Sequence, residues 1–106
     1  MNIIFCYLYR YSAHFKEYHE LVFTNANQLP LPVIEHIITT HLSGGRWFIP
    51  DEWQLPNLFF AQGHTTTPPH HEFVQVKAGP GATPPEGDIT LLLHTIQLNG
   101  AVHKVQ

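Results

Sequence analysis

Four residues in the second half of the chain have the donor types of a metal site: His64, His70, His71 and Glu72. Imidazole nitrogens and a carboxylate could hold zinc or another divalent cation once a loop gathers them. Their spacing lacks the HExxH or CxxC frame that fixes ligand geometry. The adjacent His70 and His71 also point to opposite sides of an extended chain. Histidines solvated in a loop are the commoner outcome, so no cofactor is expected, with zinc as the alternative. Of the nine histidines, His41 stands apart. Helical spacing puts it on an apolar face, where it must bond a buried partner or open onto a cavity.

A second group has the composition of a recognition surface. Tyr9, Arg10 and Tyr11 close the first apolar segment, and Trp47 and Trp53 lie further on in a stretch with two prolines, Pro50 and Pro56. Tyr, Trp and Arg supply contact area at low entropic cost, which suits a ligand or a protein partner. If a helix covers these rings they are simply core. That fate is expected for Phe5 and Tyr7.

Nucleophilic catalysis has little to work with. Cys6 lies in an apolar strand, where a thiol stays protonated and inert. Ser12 and Ser43 lack the strand–turn–helix setting of a nucleophile elbow. Residues 78–82 (AGPGA) contain glycines but no Lys or following Ser/Thr, so they form no phosphate loop. Asp51 and Glu52 suit the start of a helical turn.

The elements that must position these groups follow from periodicity. Asn2 to Tyr11 alternate as a strand, with Ile3, Phe5, Tyr7, Tyr9 and Tyr11 on one side. Both sides are largely apolar, as in a central strand covered on two faces. Glu20 to Thr24 form a second strand, paired antiparallel to the first after a connection over 12–19. Val33, Ile34, Ile37, Ile38 and Leu42 share one face of a helix at about 32–43. Pro32 fits its first turn, and Gly44-Gly45 stop it. Pro50 to Trp53 fit a single helical turn, Leu58 to Phe60 a short strand, and Glu72 to Lys77 an alternating strand. Residues 61–71 and 78–87 are loops. Asp88 is a good N-cap, and Ile89, Leu92, Leu93 and Ile96 make a helical stripe. A helix at about 88–98, stopped by Asn99-Gly100, is therefore favoured over a strand.

Composition bounds the partners. The chain has 106 residues, a single-domain length, with 43% hydrophobic and only 12% charged. Globular chains average about 25% charged. The net charge is −3, and Arg10, Lys16, Arg46, Lys77 and Lys104 are scattered. No clustered basic footprint marks a nucleic-acid partner. The apolar run Ile3–Leu8 is far below the roughly 20 residues that span a bilayer, so no membrane partner is expected. Nor does it have the basic start and cleavage site of a signal peptide. One cysteine cannot form an intrachain disulfide, and a cytoplasmic location is expected.

Several short motifs resemble a family of small bacterial proteins with no established activity. They are Tyr7-Leu8-Tyr9-Arg10, Val22-Phe23-Thr24-Asn25 and Ile34-Glu35, then Trp53-Gln54-Leu55-Pro56-Asn57-Leu58 and His71-Glu72-Phe73. The resemblance covers roughly residues 7–73 and implies a bacterial cytosolic domain. It carries no catalytic role.

The expectation is a single α+β domain: a mainly antiparallel sheet of three to five strands, with the 32–43 helix on one face and the 88–98 helix beside it. The expected function is a non-enzymatic module that binds a protein partner or a second copy of itself. The alternative is a small metal- or ligand-binding protein, or a hydrolase, using the His64/His70/His71/Glu72 group.

Overall fold

A computed structural model describes residues 1–10, 16–56, 58, 70–81 and 83–105, with side chains described through Asn99. The elements are β1 (Asn2–Arg10), β2 (Lys16–Phe23), α1 (Leu31–Thr40), β3 (Trp47–Phe48), a 3₁₀ turn (Pro50–Trp53), β4 (His71–Gly79) and α2 (Ile89–Val105). The strands form one antiparallel sheet in the order β2-β1-β4-β3. The fold is α+β. No helix of the described residues is long and apolar enough to cross a membrane.

β1 is an inner strand, as its two apolar faces require. Ile3, Phe5, Tyr7 and Tyr9 point into the main core, with Leu21 and Phe23 of β2 and Val76 of β4. The helices cover that side through Ile34 and Ile38 of α1 and the Ile89, Leu92, Leu93, Ile96 stripe of α2. On the opposite face Ile4, Cys6 and Val22 make a smaller cluster. The Cys6 thiol donates to Glu20 Oε2 at 3.6 Å. Burial first, then the Glu20 charge, pushes its pKa up to about 11. At neutral pH it is therefore the weakly nucleophilic thiol.

Several boundaries depart from the sequence reading. β2 begins at Lys16 rather than Glu20, because Lys16 to His19 continue the ladder opposite Tyr7–Arg10. β4 runs from His71 to Gly79, beyond the Glu72–Lys77 alternation at both ends. Cys6 faces Gln75 and Tyr7 faces Phe73, which leaves Val74 unmatched in a β-bulge. β3 was not expected at all. Of the short strand expected at 58–60, Leu58 is helical and the other two positions lie outside the described residues.

α1 closes earlier than its glycines suggest. It ends at Thr40, and His41 caps it: the backbone N–H of His41 bonds Ile38 O at 3.1 Å and its ring Nδ1 bonds Ile37 O at 2.8 Å. Gly44 and Gly45, at φ +61° and +72°, instead turn the chain so that Ser43 and Trp47 exchange backbone hydrogen bonds. α2 runs past the Asn99-Gly100 signal to Val105. The Asn99 amide donates to Thr95 O one turn back and to the Glu52 carbonyl, so it works as a tether rather than a helix stop.

Candidate functional site

The short β3 and the turn before it create the most useful concavity. A cleft of about 420 Å³ opens between the end of α1, β3, the 3₁₀ turn and α2. Trp47, Phe48 and Trp53 give it an apolar side, and Thr40, His41, Ser43, Glu52, His70 and Asn99 bring polar groups; Leu42 and Ile49 complete the lining.

Its aromatic floor is set by the core. Phe48 and Trp53 stack at 4.5 Å between centroids, with ring planes 13° apart. Phe5 meets both edge-on, at 5.9 and 6.3 Å. Such offset and edge contacts are favoured by the ring quadrupoles. The 3₁₀ turn holds Trp53 in place. Pro50 supplies a preset φ at its start, and Gln54, at φ +59°, closes it. Leu55 N–H donates to Pro50 O at 3.0 Å, and Asn99 clips the turn from α2 through the Glu52 carbonyl.

The polar rim is also positioned by local structure. The Ile37 carbonyl can only accept, so His41 carries its proton on Nδ1 and leaves Nε2 as the nitrogen offered to a ligand. Glu52 is the one carboxylate in the described lining, which has no Lys or Arg.

Of the expected surface residues, Trp47, Trp53 and His41 line this cleft, joined by His70 from the histidine group. Trp53 is buried and Trp47 half-buried. Tyr9 is buried and stacks on His71, 5.0 Å away at 24°. Arg10 lies on the other side of the sheet. Its Nε donates to Glu72 Oε1 at 2.9 Å, and Arg46 Nη2 donates to Glu72 Oε2 at 3.2 Å. Burial alone would raise the Glu72 pKa, but the two guanidinium groups outweigh it and hold the carboxyl below its ordinary value. Arg46 also lies 5.0 Å from the centre of the Trp47 ring. Tyr11 and His64 lie outside the described residues.

The four metal-type residues have separate surroundings where they are described. His70 is exposed at the cleft, whereas His71 is fully buried. His71 Nε2 accepts the Leu58 N–H at 3.1 Å, so the ring is neutral with its proton on Nδ1. Glu72 engages both oxygens with arginines. Among the described residues, no three His, Cys, Asp or Glu side chains are grouped to hold a metal ion.

The sequence reading gave no role here to Thr40, Ser43, Phe48, Ile49 or Asn99. The Gly44-Gly45 pair was the signal available. A tight turn after α1 must lead the chain back alongside Ser43, which makes the next residues a strand.

No family model matches the chain, and no curated protein or solved structure matches it.

Proposed function

We propose that the protein is a non-enzymatic binding module that takes a small planar ligand, neutral or cationic, in the cleft beside Trp47. One observation carries the reading: a concavity of about 420 Å³ lined by three aromatic rings and a few polar side chains. That volume falls within the roughly 300–1,000 Å³ typical of ligand pockets, which combine apolar walls with a few placed polar groups. The charge of the lining narrows the ligand class. No Lys or Arg lines the cleft among the described residues, and Arg46 beside the Trp47 ring is paired with Glu72, so an anion finds no counter-charge there.

Catalysis has less support. Cys6 is a protonated thiol, and Ser43 belongs to a backbone-paired turn. Zinc binding by His70 together with His64 would be a separate activity, and added mass in native mass spectrometry would reveal it.

The cleft is tested by NMR titration with benzamidinium, a planar cation, and benzoate, its anionic counterpart. Benzamidinium is expected to shift the Trp47 and Trp53 indole N–H and Asn99 amide signals, and benzoate to leave them unmoved. Trp47→Ala should abolish the shift. Silence of all three signals with both probes, or equal response to the anion, would refute the assignment.

A further inference from the structure

β2 lies at the edge of the sheet, and among the described residues its outer rim is only partly occupied. Glu86 N–H donates to Val22 O at 2.7 Å, and Thr24 N–H donates to Gly87 O at 2.9 Å. Both N–H and C=O of a strand residue point to the same side of an antiparallel ladder. The even-numbered residues of β2 therefore face outward, and the 86–87 segment covers the Val22–Thr24 end. Among the described residues nothing on the backbone pairs with the outward groups of Lys16, Tyr18 and Glu20. All three side chains are exposed, Tyr18 by 57%.

We propose that two copies of this chain pair antiparallel through this rim, Tyr18 against Tyr18 of the partner subunit, and join their sheets into one. A two-fold axis at Tyr18 places Lys16 opposite the partner's Glu20 and Glu20 opposite the partner's Lys16. Glu17 then faces the partner's His19. The strand is thus charge-complementary to its own reverse, which a two-fold interface requires.

Two neighbouring registers are worse on the same observations. An axis at His19 needs Val22 O, which Glu86 already holds. An axis at Glu20 sets two carboxylates face to face. Exposed charge usually protects a sheet edge from pairing. In this register the charges attract, so they select one partner instead of repelling all.

Sedimentation velocity of the full chain over a concentration series tests the pairing, with far-UV circular dichroism to check folding. The wild type is expected to show a dimer fraction that grows with concentration. Lys16→Glu and Glu20→Lys should each weaken dimerisation at least about tenfold, because each sets like charges opposite one another at two symmetric places. An equimolar mixture of the two variants should recover the dimer, since each supplies the sign the other lacks. A chain damaged only by loss of the internal Glu20–Lys77 pair (3.2 Å) would not recover on mixing. A wild type that stays monomeric at millimolar concentration overturns the proposal. So does a dimer indifferent to both variants, or a mixture that stays monomeric.

Discussion

Asp88 and Ala26 are joined across the chain: Asp88 Oδ1 accepts the Ala26 N–H at 2.9 Å. The same oxygen accepts the Thr24 hydroxyl at 2.9 Å, while Oδ2 accepts the Thr90 N–H at 3.1 Å. One carboxylate thus caps α2 and fastens it to the loop leading into α1. The Ala26 bond, followed by those from Thr90 and Thr24, holds the Asp88 pKa at about 2, against an ordinary 3.8.

The sign of the pH effect follows. A depressed carboxyl pKa contributes stability above its unfolded value and loses it as pH falls through the folded one. Asp88→Ala should cost about 1 kcal/mol at neutral pH, the usual loss of a cap. Chemical denaturation should show the gap between variant and wild type narrowing between pH 4 and pH 2. A gap constant over that interval would mean that the charge of Asp88 contributes nothing.

Trp47 and Trp53 separate binding from stability. Trp53 is 4% exposed and packed on Phe48, so Trp53→Ala should destabilise by roughly 3–5 kcal/mol, as for large core truncations. Trp47 is half-buried at the cleft, and Trp47→Ala should cost much less while removing the benzamidinium response. Thermal melts beside the titration distinguish the two.

Tyr7 is fully buried, and its hydroxyl donates to Pro56 O at 2.7 Å. Tyr7→Phe keeps the ring but strands that carbonyl, which should cost about 1–3 kcal/mol in urea unfolding. A neutral outcome would mean that water replaces the donor.

Gly81 should not tolerate a side chain. Its φ is +68°, and an added Cβ would lie 2.6 Å from Val22 Cγ2. Gly44 also has positive φ, but nothing lies within 4 Å of its Cβ position. Gly44→Ala should therefore lose only the backbone preference, on the order of 1 kcal/mol, and Gly81→Ala clearly more. Equal midpoints for the two would show that Val22 moves aside at no cost.

Elements with a strong internal period were legible in the sequence. β1 alternates over its whole length, and α1 and the Asp88-capped α2 each carry an apolar stripe, so the α+β class followed from local patterning. β3 has two residues and no period of its own; it exists because Gly44-Gly45 return the chain to Ser43. The end of α2 was misread because Asn99 carries a stop signal that its bond to Glu52 overrides. The cleft was legible in its residue types, Trp47, Trp53, His41 and His70, but not in its assembly. It joins residues 40–53, 70 and 99, and no spacing rule links segments so far apart.

The unmatched Val74 decides which residues meet the core and which meet the solvent. From Val76, strict alternation would turn Val74 and Glu72 inward and leave Phe73 and His71 outside. One additional residue reverses the parity of everything before it in the strand. That inversion seats the His71 ring against Tyr9 and releases the Glu72 carboxylate to its two arginines. A ladder that paired Val74 in regular register would have to bury an ionised carboxylate among aromatic rings or slide β4 along β1. The coexistence of a dry imidazole and a paired carboxylate at adjacent positions thus hangs on Val74 staying outside the ladder, not on the identity of either residue.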